Sequence, residues 1–148
     1  MAANIYPNGA ALILAGALAT RFGSTTLKLL KSPVTLTRFL TLADLTEADF
    51  SGYAAKSITA VGTPILNANA GADIPIPSQE FTVTTATPQV GNDIYGWWLE
   101  DGSSNLLALA VFDSPVPMQF VGQGLVLLSL MNFFGADPIY VSVNGQPA

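Results

Sequence analysis

From residue 25 onward, apolar and polar positions alternate in short bursts separated by turn-forming residues. In Gln79–Thr85, Phe81 and Val83 fall on one side of an extended chain, and Glu80, Thr82 and Thr84 on the other. In Ile139–Asn144 the same period sets Ile139, Val141 and Val143 against Tyr140, Ser142 and Asn144. A strand with this pattern has one face on a core and one in water. Residues 106–112 and 125–134 are apolar on both faces. Such a strand is either central beneath a covered outer face or buried by another subunit.

Gly, Pro, Asn and Asp punctuate the chain between segments rich in Val, Ile, Thr, Phe, Tyr and Trp, which is how sandwiches and barrels read. The predicted strands are 25–31, 36–40, 53–61, 79–86, 93–100, 105–113, 123–134 and 138–144. Asp101-Gly102-Ser103-Ser104-Asn105 reads as a hairpin turn. Pro115 and Pro117 around Val116 indicate an edge strand or an extended connector. Residues 62–78, with Pro64, Pro75 and Pro77, read as a long irregular loop.

Only residues 1–23 have helical composition, with Asn8-Gly9 to start a helix and Gly23 to stop it. The fold class predicted is all-β: a two-sheet antiparallel β-sandwich over residues 25–148, a jelly roll being one such arrangement, preceded by an N-terminal arm or short helix over residues 1–24. Ala17-Leu18-Ala19 mimics an export cleavage site, but residues 1–9 hold no Lys or Arg, so a packing helix or arm is the expectation. No apolar run reaches the length that spans a membrane.

Composition sharpens the picture. Half of the 148 residues are apolar and only 10% are charged, against about 25% in an ordinary globular chain. Much of the surface must then be uncharged, which suits coverage by a partner. There is no Cys and no His. That excludes zinc sites built on thiolate or imidazole, and nucleophile systems that rely on either residue. Neither a Gly-rich phosphate loop nor a G-x-S-x-G elbow occurs. No cofactor is expected.

All five bases lie in the first 56 residues. There they outnumber three acids, whereas residues 57–148 hold seven acids and no base. The acidic part would repel phosphate, so nucleic acid is not an expected partner. The acidity serves solubility, or the basic segment docks on an acidic surface. On the second reading Arg21, Lys28, Lys31 and Arg38 are candidate interface residues.

Three constellations bear on chemistry. The carboxylate pairs Glu47/Asp49 and Glu100/Asp101 resemble a glycosidase pair in type, but acids at strand ends are ordinarily solvated. Asp101, Ser103 and Asn105 alternate oxygen donors, yet Phe112 stands where an EF-hand requires Glu. In 94–100, alternation places Tyr95, Trp97 and Leu99 on one face and Ile94, Trp98 and Glu100 on the other. One indole should be core. The other, Trp98, is a candidate protein anchor or sugar platform.

The stretch Ala43-Asp44-Leu45-Thr46-Glu47-Ala48-Asp49-Phe50-Ser51-Gly52-Tyr53-Ala54 resembles a recurrent block in small structural proteins of tailed bacteriophages. Ile94-Tyr95-Gly96-Trp97-Trp98-Leu99-Glu100-Asp101, Leu107-Ala108-Leu109-Ala110-Val111-Phe112-Asp113-Ser114-Pro115-Val116-Pro117-Met118 and the strand Leu27–Lys31 fit the same pattern, so the resemblance covers about residues 25–134. It implies a non-enzymatic virion protein on the capsid surface: a cement or decoration protein, often a homotrimer, bound to the outside of the major capsid protein lattice. The blocks carry no catalytic residue. An alternative is a tail or fibre component that binds host glycan through Trp97 or Trp98.

Overall fold

The computed structural model describes residues 8–66, 72–85, 87–133 and 141–143. Helix α1 (Asn8–Phe22) is followed by strands β1 (Thr25–Leu30), β2 (Lys56–Ile58), β3 (Ile65–Leu66), β4 (Ala72–Thr82), β5 (Asp93–Asp101), β6 (Leu106–Pro117), β7 (Gly124–Phe133) and β8 (Val141–Val143). A 3-10 turn occupies Leu42–Asp44. One antiparallel sheet, sheet A, has the order β2-β1-β5-β6; the other, sheet B, has β3-β4-β7-β8. The fold is all-β and sandwich-like, as the alternation predicts. Each sheet joins two pairs of strands that are consecutive in the chain, which is not the nested strand order of a jelly roll.

The core lies between the sheets. Leu27, Leu29, Ile58 and Leu99 enter it from sheet A, and Ile74, Phe81, Val83 and Leu125 from sheet B. α1 starts near Asn8-Gly9, and the Gly23 N–H closes its last turn on the Ala19 carbonyl at 3.0 Å. Its Ala15, Ala19 and Phe22 join the same core, so the helix packs into the sandwich. The Thr25 hydroxyl donates to the Phe22 carbonyl at 2.7 Å where helix passes into strand.

Departures from strict alternation occur where the ladders shift. In β4, Ala72 and Ile74 point inward at even positions, but Phe81, and Val83 just past the strand's end, do so at odd ones. The register shift between Ile76 and Gln79 accounts for the change. In β5 a shift between Ile94 and Gly96 puts Ile94 in the core with Trp97 and Leu99. That corrects the expectation that Ile94 shares a face with Trp98.

Two element predictions are also corrected. Residues 36–40 are not a strand but an irregular segment with a turn at residues 38–39, where the Phe39 N–H bonds the Thr37 hydroxyl at 3.3 Å and Leu36 and Phe39 stand exposed. The predicted loop 62–78 instead contains β3 and much of β4. Pro75 is tolerated because its carbonyl faces the Gly62 N–H, 2.8 Å away. Its missing donor therefore points to that side and not to β7. Residues 67–71 lie outside the described residues, as do 138–140 and 144 of the last predicted strand.

Trp97 lies in the core, and among the described residues its Nε1 finds no acceptor. An orphaned buried donor costs about 1–3 kcal/mol, so Trp97→Phe should cost less than an ordinary truncation of this size.

Gly96 of β5 pairs with Val111 of β6 beside a register shift. A Cβ there would collide with the Ala110 carbonyl oxygen. Because that atom is backbone, the strands themselves would have to part. Gly96→Ala should cost about 3 kcal/mol or more, read as a drop in the urea midpoint at unchanged slope. A loss under about 0.5 kcal/mol, the range of an ordinary surface change, would contradict this packing.

Candidate functional sites: a closed polar brace and exposed apolar ends

On the outer face of sheet A, β1 and β5 pair Thr26 with Glu100, Lys28 with Trp98 and Leu30 with Gly96. The segment after the 3-10 turn returns along the second half of β1, beyond Leu27, where the pairing with β2 ends. There the Lys31 N–H donates to the Thr46 carbonyl at 2.8 Å, and the Ala48 N–H to the Leu29 carbonyl at 2.9 Å. This path carries Glu47 to Lys28.

The Lys28 ammonium lies 2.8 Å from Glu100 Oε1 and 3.1 Å from Glu47 Oε2. Trp98 Nε1 donates to the second Glu100 oxygen at 2.8 Å. The Tyr53 hydroxyl donates to Glu47 at 2.9 Å and accepts from the Leu29 N–H at 3.3 Å. The Tyr53 ring stacks on Phe81 of sheet B and meets Phe50 edge-on.

The electrostatics are those of a brace. Lys28 is raised above 10.5, chiefly by its bond to Glu100 with Glu47 adding to it, against the opposing effect of burial. Burial pushes Glu100 up, but Lys28 and Trp98 outweigh it and hold the carboxyl below 4.5. A general acid needs the opposite shift. Burial raises Tyr53.

The structure separates both sequence-adjacent carboxylate pairs. Asp49 pairs with Lys31, and Asp101 with Arg21 at 2.8 Å. Asp101 also braces its own hairpin, accepting from the Asn105 side chain and from the N–H groups of Ser103 and Asn105, which lowers its pKa. Its oxygens are thus committed to the turn. Among the described residues no acidic cluster is arranged to hold a metal ion.

Of the candidate interface residues, Arg21, Lys28 and Lys31 are engaged in ion pairs within the chain. Arg38 is exposed and has no ion pair among the described residues. Trp98 is only 3% exposed, as is Trp97. Neither indole presents a face to a sugar or a partner. What sequence reasoning missed is the Lys28–Glu47–Glu100 grouping, whose members lie far apart in the chain. The only sequence sign of it is a lysine within an apolar strand.

The exposed large apolar side chains gather on segments at two ends. β1 leaves sheet A beside Gly96, at the end where Asp93 faces Pro117. At that end the loops 83–92 and 118–123 bond each other, Gln89 N–H to the Gln119 carbonyl at 2.9 Å and Met118 N–H to the Asn92 carbonyl at 2.8 Å. Those two loops expose Val90, Phe120 and Val121, and the segment leaving β1 exposes Leu36 and Phe39; Val90 and Phe39 are 90% and 89% exposed. At the opposite end α1 exposes Ile13 and β3 exposes Ile65. An open groove runs there between Gly16, Ala19 and Thr20 of the helix and residues 59–64.

Comparison with family models, curated proteins and solved structures finds no match to this chain.

The brace fixes the pH dependence. The depressed carboxyls of Glu100 and Asp101 contribute stability that is present above their ordinary values of 4.5 and 3.8. It is lost as pH falls through their folded values. Lys28 contributes stability that is full below 10.5 and lost as pH rises through its raised value. Thermal melting should therefore be flat between these limits and fall on either side. In Lys28→Met, Glu47 and Glu100 face each other without a cation, which should cost about 1–2 kcal/mol at pH 7 for so partly exposed a group. Acidification to pH 4 should recover much of this, because protonation relieves the repulsion. A variant whose stability deficit is the same at pH 4 and pH 7 would contradict the brace.

Proposed function

We propose that the protein is a non-enzymatic virion component: a capsid cement or decoration protein that binds the outside of the major capsid protein lattice as a homo-oligomer and stabilises the shell. The observation that carries this reading is the set of exposed apolar side chains on the loops at one end, Phe39, Val90, Phe120 and Val121 above all. A cement protein needs contact area, shape and avidity and no reactive group. Exposed aromatics on loops braced by backbone bonds supply anchors at low ordering cost.

The use of charge supports the same reading. Most bases are consumed in bracing the chain itself, and Arg38 stands between exposed Leu36 and Phe39 with no ion pair among the described residues. An apolar end flanked by one guanidinium fits a protein surface better than it fits nucleic acid, which the remaining acidity would repel. The blocks that resemble phage structural proteins supply Glu47 and Tyr53, Trp98 and Glu100, and β6, with Lys28 from the accompanying strand. In this fold they build one face of sheet A and its edge. The reading in which Trp97 or Trp98 binds host glycan lacks an exposed indole.

Purified protein mixed with undecorated shells should bind at a fixed stoichiometry and raise the temperature at which the shells break. Phe39→Ser and Phe120→Ser, both at exposed positions, should keep the fold. Each should weaken shell binding roughly thirtyfold, the loss of about 2 kcal/mol expected of an aromatic anchor. Shells that stay bare at saturating protein would overturn the proposed role. Unchanged affinity in both variants would overturn the loop end as the docking surface.

A further inference from the structure

We infer that Gly91 and Gly122 are positioning residues of the docking end: each holds a turn that presents a valine tip, and the shell protein is gripped by the two tips, Val90 and Val121, together. This rests on the capsid reading and deepens it by naming the device that shapes the contact.

Among the described residues three glycines have positive φ: Gly52 at 91°, Gly91 at 87° and Gly122 at 82°. Each stands third in a four-residue turn closed by a backbone bond. The Tyr53 N–H donates to the Phe50 carbonyl at 2.9 Å, the Asn92 N–H to the Gln89 carbonyl at 3.3 Å, and the Gln123 N–H to the Phe120 carbonyl at 3.1 Å. This is the arrangement of a type II turn, whose third position calls for Gly or Asn. Its second position, the corner, favours Pro and makes no demand for an apolar side chain.

The same turn is put to two uses. At Gly52 a Cβ would collide with the Thr82 carbonyl oxygen and the Thr84 side chain, so this turn is packed against residues 82–84. Its corner is Ser51, half-buried. At Gly91 and Gly122 a Cβ would meet nothing within 4 Å, so these turns project. Their corners are the exposed Val90 and Val121. The packed turn shows that serine serves this backbone. Valine at both projecting corners is therefore not required by the fold. Single exposed apolar residues are ordinary, but these two hold the same place in matched turns that are tied together.

Gln89 makes the tie. Its N–H donates to the Gln119 carbonyl at 2.9 Å, at the root of the Phe120–Gln123 turn. Its Oε1 accepts from the Ser51 N–H at 2.9 Å and from Asn92 Nδ2 at 3.0 Å. Gln123 Oε1 accepts the N–H groups of Gln119 and Phe120 at 2.6 and 2.8 Å. The tips are thus set before a partner arrives, which spares ordering cost on binding. Residues 83–92 and 118–123 hold no charged side chain, so the tips offer shape and apolar contact to an apolar, uncharged part of the shell protein.

The test pairs binding to undecorated shells with hydrogen exchange of the free protein. The Asn92 and Gln123 N–H groups of the parent should be protected. Gly91→Val and Gly122→Val leave the tips' chemistry in place but disfavour positive φ. Each should open its own turn amide to exchange and raise the dissociation constant for shells about tenfold or more, with the circular dichroism unchanged. Gly91→Asn and Gly122→Asn, which admit positive φ, should recover most of both readouts. The double variant Val90→Ser with Val121→Ser copies the corner of the packed turn. It should weaken shell binding at least as much while exchange stays slow, and it decides the matter if the Gly→Val variants fail to fold. Shells left bare by the parent would overturn the capsid reading and this inference with it. With the parent bound, the inference alone is overturned by double-serine binding as tight as the parent's, by Asn variants that bind no better than the Val variants, or by turn amides that exchange in the parent at the rate of an unfolded chain.

Discussion

One ammonium group closes the outer face of sheet A. Lys28 stands on a strand whose inner side, Leu27 and Leu29, belongs to the core and whose outer side also carries Leu30, fully buried. A lysine there must be neutralised, because an unpaired charge at a half-buried position is costly. Glu100, from the neighbouring strand, and Glu47, from the returning segment, do this together. Drawing Glu47 to Lys28 ties residues 46–53 along β1. Tyr53 then reaches from that segment to Phe81 in the other sheet. Through these contacts the sandwich is closed along this edge and Trp98 is withdrawn from solvent.

This arrangement redirects the search for function. A tryptophan beside a glutamate, near a second glutamate and a tyrosine, has the residue types of a sugar site. The geometry assigns them otherwise: the indole N–H and the ammonium both bond the same carboxylate, which is held below its usual pKa. With that face committed, what the fold leaves available is apolar. It consists of loop side chains at one end, helix and short-strand side chains at the other, and a long edge strand between. These are surfaces for association.

Much of this was legible in the chain and some was not. The alternation at Gln79–Thr85, the Asp101–Asn105 turn, the helix between Asn8-Gly9 and Gly23 and the prolines near the end of β6 are local signals, and each is used in the fold as local chemistry suggests. Register shifts are another matter. A bulge inverts the faces of everything beyond it, so Ile94 could not be assigned from spacing. Pro75 hides a strand because its tolerance depends on which way its missing N–H points, and that is fixed by the distant Gly62. In the sequence the bases admit a docking reading beside the solubility one because their acids lie elsewhere in the chain; only the folded register shows that Arg21, Lys28 and Lys31 are already paired.

The burial of Trp98 behind the Lys28 brace is the claim on which this account stands. Fluorescence of the Trp97→Phe variant isolates that single indole. The account predicts short-wavelength emission that iodide scarcely quenches at pH 7. Emission at the wavelength of a hydrated indole, quenched as freely as in a small peptide, would contradict it.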